Sequence, residues 1–141
     1  MTSKRRLVGL ALLALLPLLI PGCASRAPVS ISGQWLGAYT CSDGLTGLTL
    51  DIGEPLGEHV PATFSFYALP SNPDVPSGRF WMGGSFADNE RLVLTAGGWL
   101  EQPPGYELLD LEGTLSNGRQ TYSGIVLGST DCTGFFVSKA N

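Results

Sequence analysis

Residues 59–68 read "HVPATFSFYA". Val60, Ala62, Phe64, Phe66 and Ala68 fall on one side of this run, with Thr63, Ser65 and Tyr67 on the other. A period of two is the pitch of a β-strand that buries one face and wets the other. Pro61 has no N–H to give to a ladder, so the pattern predicts a strand that starts after it or lies at a sheet edge there.

The same alternation extends in both directions. Upstream, "GQWLGAYTC" aligns Trp35, Gly37, Tyr39 and Cys41, and "TGLTLDI" aligns Leu48, Leu50 and Ile52. Downstream, "RFWMGGSF" aligns Phe80, Met82, Gly84 and Phe86, and "RLVLTA" aligns Leu92, Leu94 and Ala96. "YELLDLEGTL" aligns Leu109, Leu111, Gly113 and Leu115, and "QTYSGIVLG" and "CTGFFVS" complete the series. "ADNE" at 87–90 and the Asn117-Gly118 of "SNGR" are turn signals between them. The expectation is an all-β domain of about eight antiparallel strands. Its connections are too short for helical crossovers, so it forms either a small meander barrel or a two-sheet sandwich.

The first 22 residues do not belong to this pattern. Lys4, Arg5 and Arg6 precede an apolar run from Leu7 to Ile20. That run matches the apolar region of a secretory signal and falls short of the roughly 18 residues that span a bilayer. Ile20-Pro21-Gly22-Cys23 resembles the bacterial lipobox. The resemblance implies diacylglyceryl transfer to the Cys23 thiol, cleavage between Gly22 and Cys23, and acylation of the new amino group. Two or three acyl chains suffice for stable anchoring, whereas one does not. Ala24-Ser25 follow, with no Asp at the second mature position. By resemblance to lipoproteins of two-membrane bacteria, this implies an outer-membrane anchor facing the periplasm. The expected organisation is a signal peptide over 1–22, a lipidated tether over 23–30 and one β domain over 31–141.

Once Cys23 is given to lipid, Cys41 and Cys132 remain. In an oxidising compartment the simplest expectation is that these two form one disulfide. Cys41 ends the first predicted strand and Cys132 begins the last. A bridge would bring the two ends of the sheet together, as in a closed or nearly closed barrel.

The mature chain carries five basic and twelve acidic residues, a net charge of −7. An acidic chain with no basic cluster is a poor match for a phosphate backbone, so nucleic acid is not an expected partner. With His59 the only histidine and no Cys-x-x-Cys, no metal site or other cofactor is expected. P-loop, zinc-protease and nucleophile-elbow motifs are absent. Asp51 and His59 flank a turn, and Asp110 and Glu112 share the polar face of a strand, as solvated charges do. The expectation is a protein that is not an enzyme.

The most distinctive stretch outside the strands is "GGWLEQPPGYELL", residues 97–109. Gly97-Gly98 is expected to break the preceding strand, and Pro103-Pro104-Gly105 to make a stiff turn. Trp99 and Tyr106 bracket that turn. They are either aromatic anchors of a binding loop for a protein, peptide or glycan, or a packed corner over the barrel's end. The proline-rich stretch 69–77 is a second long, exposed loop.

Two further resemblances cover the mature chain. Trp35, Gly37, Tyr39 and Cys41, then Trp99, Leu100, Pro103, Gly105 and Tyr106, then Cys132 and Phe135, resemble a small β domain of bacterial envelope proteins, also found beside caspase-like peptidase domains. This resemblance implies no activity. More loosely, the lipobox, the Tyr-x-Cys first strand and the disulfide are similar to membrane-bound inhibitors of c-type lysozyme, although their Ser-Gly-Ser-Gly loop is missing. The expected function is a lipid-anchored envelope protein with a non-enzymatic binding or structural role. A periplasmic lysozyme inhibitor and a lipocalin-like small-ligand barrel are the alternatives.

Overall fold

A computed structural model describes residues 21–23 and 27–141. The expected signal segment over 1–20 and residues 24–26 of the expected tether lie outside the described residues. Eight strands follow in order: β1 Gly33–Cys41, β2 Gly44–Ile52, β3 Val60–Tyr67, β4 Gly78–Phe86, β5 Arg91–Glu101, β6 Asp110–Ser116, β7 Thr121–Leu127 and β8 Cys132–Lys139. Each pairs antiparallel with its sequence neighbours, and β8 pairs with β1, so the meander closes into a barrel. Of the barrel and the sandwich, the chain forms the barrel. Among the described residues there is no helix.

The alternation sets which side chains fill the interior. Trp35, Leu48, Leu50, Phe64, Phe80, Leu92, Leu94, Leu111, Tyr122 and Val137 are fully buried. Burying one such side chain is worth about 2–3 kcal/mol, so the stacked layers of the interior dominate the stability of a domain this size. Phe64 stacks on Phe80 with ring centres 4.6 Å apart, and Tyr39 meets Phe64 edge-on at 5.4 Å. The two large amphipathic side chains find partners for their polar tips. Trp35 Nε1 donates to the Ile31 carbonyl at 2.9 Å, and the Tyr122 hydroxyl donates to the Leu92 carbonyl at 2.9 Å.

A meander barrel has two rims. The lower rim holds the starts of the odd-numbered strands, the ends of the even-numbered ones, and the segment that leads into β1. The upper rim holds the opposite ends, including Cys41 and Cys132. These two cysteines face each other across the β1–β8 seam and are joined by a disulfide spanning 91 residues of sequence. The ladder slips by one residue between Tyr39 and Cys41, so the seam is bulged beside the bridge.

Three local expectations are corrected. First, β3 begins before Pro61, and in a closed barrel it is not an edge. Pro61 pairs with Gly83 of β4, while its carbonyl accepts from Gly53 N–H at 2.9 Å, just past the last β2 pair, Ile52 with Ala62. Carbonyl and nitrogen of one strand residue face the same neighbour, so the missing donor falls where β2 has already ended and the β4 ladder is unharmed.

Second, Gly97-Gly98 does not break β5, which runs on to Glu101. The ladder with β4 slips at two places, between Arg79 and Phe80 and between Trp81 and Met82. The indole of Trp81 occupies the space above Gly97, so a Cβ there would lie 2.0 Å from the ring. The glycine makes room for an outward-facing tryptophan instead of ending the strand. Third, the 69–77 stretch is not wholly exposed, because Val75 turns inward and joins the core at 7% exposure.

The Asn-Gly signal does form a hairpin, with four residues between Ser116 and Thr121. Asn117, Gly118 and Arg119 all take positive φ. At the β4–β5 turn, Asp88 Oδ1 accepts from the N–H groups of Glu90 and Arg91 at 3.0 and 2.9 Å. Those two bonds hold its carboxyl below the usual carboxylate range.

Candidate functional site

The upper rim carries a cleft of about 440 Å³. Tyr39 and Thr46, contributed by β1 and β2, are both buried and line it. One wall is the Cys41–Cys132 bridge. Ser42-Asp43 from the β1–β2 turn and Ser129 and Asp131 from the β7–β8 turn stand above it. The Ser42 N–H donates to the Asp131 carbonyl at 2.8 Å, so the two turns are tied to each other as well as to the disulfide. The opposite wall is Gly105, Tyr106 and Glu107, with Leu109 beneath.

The two aromatics singled out from sequence part company. Trp99 packs edge-on against Phe80 at 5.2 Å and Phe66 at 6.2 Å and does not line the cleft. Tyr106 stacks on Phe66 with ring centres 5.2 Å apart and planes 11° from parallel, and it also lines the cleft. It is held by its neighbours: its N–H donates to the Pro103 carbonyl at 3.3 Å, and its carbonyl accepts from Gln102 Nε2 at 3.2 Å. Pro103 is buried, so the stiff turn is a lid on the barrel's end with Tyr106 at its lip.

The charge in this cleft has one sign. Asp43, Glu107 and Asp131 line it, and no Lys, Arg or His does. Burial raises the Tyr39 phenol well above its usual range, the Thr46 hydroxyl hydrogen-bonded to it pulls the other way, and Tyr106 and Asp43 nearby add to the rise. Burial, then Asp43, also raises Tyr106. Both phenols therefore stay uncharged at neutral pH, and a neutral hydroxyl oxygen can accept a hydrogen bond from a cationic donor. Two neutral phenols and three carboxylates make a surface that can accept an ammonium or guanidinium group.

The other chemistry-bearing residues are scattered. His59 and Asp51 lie toward the lower rim, with His59 exposed beside Gly83 and Asp51 accepting from Gln34 Nε2 at 3.3 Å. Asp110 Oδ1 caps the Ala96 N–H at 2.8 Å, and Glu112 pairs with Arg91. Cys23 is exposed, with no disulfide partner among the described residues. Among those residues no group of three or more His, Cys, Asp or Glu side chains is placed to hold a metal ion.

Sequence reading missed Asp43, Glu107 and Asp131. The signal was present: an acidic residue sits within two positions of each bridged cysteine, in Cys41-Ser42-Asp43 and Asp131-Cys132. Pairing the cysteines brings the two acids to one rim.

No protein-family model matches the chain, and no curated protein sequence matches it. Among solved structures it is similar to a redesigned β-barrel, with a TM-score of 0.53 over 79% of this chain and 91% of that one, at 10% sequence identity. That likeness concerns the fold alone: the chain is an eight-stranded antiparallel closed β-barrel.

Proposed function

We propose that this protein is a lipid-anchored component of the bacterial cell envelope, held at the periplasmic face of the outer membrane through Cys23. In this reading its barrel is a non-enzymatic binding module that engages a cationic protein or peptide segment at the upper rim. Support for the anchor is the basic head, apolar run and lipobox-like Ile20-Pro21-Gly22-Cys23. The observation that carries the binding role is the cleft, a concavity with three carboxylates, two protonated phenols and no cation in its lining. Electrostatic complementarity of this kind steers encounter and selects a partner of opposite sign. The small-ligand alternative has little support, because the described interior is filled by side chains.

Reversing the charge with Asp43→Lys and Asp131→Lys tests the binding role. Crosslinking from membranes should lose a basic partner captured by the unaltered protein, while the variant keeps its fold and its membrane association. Retention of the same partner at the same yield would remove the cleft from the reading.

The lysozyme-inhibitor reading has one observation of its own: c-type lysozyme is basic, and this rim is acidic. Purified domain in excess over c-type lysozyme should then slow lysis, and undiminished lysis ends that reading.

A further inference from the structure

The segment before β1 is fastened to the lower rim at several points. Ile31 is buried at 2% exposure, and its carbonyl accepts from Trp35 Nε1 at 2.9 Å. The Ser30 carbonyl accepts from Lys139 Nζ at 2.8 Å, from the end of β8. The Val29 carbonyl accepts from Arg119 Nη1 at 3.3 Å, from the β6–β7 hairpin. The Ser32 hydroxyl donates to Glu54 in the β2–β3 connection. Arg119 is itself braced: its guanidinium lies 5.2 Å from the centre of the Phe86 ring, donates to the Asn89 carbonyl and sits 3.5 Å from Glu90. Its side chain is only 13% exposed.

Buried apolar packing and three cationic or indole donors aimed at consecutive backbone carbonyls make a clamp, where composition alone predicts a loose tether. The consequence is a short leash. From Cys23 to Val29 the chain advances six residues, which reach at most about 20 Å fully extended. The strands have seven to eleven residues. At about 3.3 Å per residue and the usual tilt, the barrel is roughly 25 Å from rim to rim.

We infer that Arg119 and Lys139 clamp the 29–32 segment so that the lower rim is the membrane-proximal surface of the protein, with the acidic cleft held on the side away from the lipid. The partner of the lower rim is a lipid surface. The partner of the cleft is met away from the bilayer. This inference rests on the proposed lipid anchor at Cys23.

The test uses the full chain, processed and lipidated, in vesicles of phosphatidylethanolamine and phosphatidylglycerol that carry a short-range headgroup quencher. Glu58→Cys and Ser71→Cys place one fluorophore at a time in the loops below and above the same strand, β3. Quenching should be at least threefold stronger from position 58 than from position 71. Adding Arg119→Ala, which frees the Val29 carbonyl and lengthens the leash, should lower that ratio, and Arg119→Ala with Lys139→Ala, which leaves only the attachments at Ile31 and Ser32 described above, should at least halve it. Near-UV circular dichroism verifies the fold of each variant. If the double variant loses its fold, the Arg119→Ala result decides. Equal quenching at both positions in the otherwise unaltered protein overturns the orientation and leaves the anchor standing. An unchanged ratio in the folded variants overturns the clamp. A chain that never joins the vesicles overturns the anchor itself, and the orientation falls with it.

Discussion

Tyr106 lies flat on Phe66, rings 5.2 Å apart and 11° from parallel, at the edge of a cleft whose far wall is the Cys41–Cys132 bridge. One side chain thus closes the hydrophobic interior and faces the acidic concavity. Trp99, its companion in sequence, serves the interior only.

The two positions should therefore separate in mutagenesis. Trp99→Ala removes edge contacts with Phe66 and Phe80 and should cost about 2–3 kcal/mol, below the range for a fully buried tryptophan because Trp99 is half-buried. Tyr106→Phe keeps the stack and should change stability by less than about 0.5 kcal/mol while weakening partner capture. Urea unfolding of both variants checks the first statement, and crosslinking checks the second.

Removing the bridge tests the closure of the barrel. The 91-residue separation gives roughly 4.6 kcal/mol in the chain-entropy account, an upper figure because the unfolded chain keeps some structure. A Cys41→Ala, Cys132→Ala variant should lose about 2–4 kcal/mol in urea unfolding. It should also lose slow hydrogen exchange first along β1 and β8, where the seam depends on the bridge.

High pH should unfold this protein through its buried phenols. Burial raises Tyr39 and Tyr122, with nearby Glu112 adding to the rise at Tyr122. The unfolded chain gives up these protons near pH 10 while the folded chain keeps them, so the unfolded state binds fewer protons above that pH and stability falls. Below about pH 10 the contribution is intact. Above it, two such groups give a slope of at most about 2.7 kcal/mol per pH unit. Tyr39→Phe should roughly halve that slope in urea unfolding measured from pH 8 to 11.

Gly97→Ala should strain the outer face of β5. The added Cβ would lie 2.0–2.2 Å from three carbons of the Trp81 ring, so the indole must leave its seat. The expected cost is about 1–3 kcal/mol, with a red-shifted tryptophan emission as Trp81 moves into water. Gly124→Ala should be worse, because its Cβ would meet the Glu112 carbonyl at 2.1 Å and Gly113 Cα at 2.5 Å, and backbone cannot step aside.

Much of the barrel was legible because a half-buried strand writes its face into every second residue. Val60, Ala62, Phe64 and Phe66 are all inside, as their alternation requires. The choice between barrel and sandwich depends on whether β1 meets β8, a contact that only the cysteine pair announced in the sequence. Local rules failed where a neighbouring strand decided the outcome. Pro61 fits an interior strand because β2 stops one residue short of it, and Gly97 continues a strand because Trp81 of β4 fills its missing side chain. The cleft was hidden for the same reason: Asp43 and Asp131 are distant in sequence and become neighbours only after closure.

The lipid anchor proposed at Cys23 fixes where the mature chain begins. Intact-mass spectrometry of the protein extracted from bacterial membranes tests it most directly. The expected chain begins at Cys23, without residues 1–22, and carries the added mass of two or three acyl chains. A chain that retains residues 1–22, or one cut at another position with an unmodified Cys23, would contradict it.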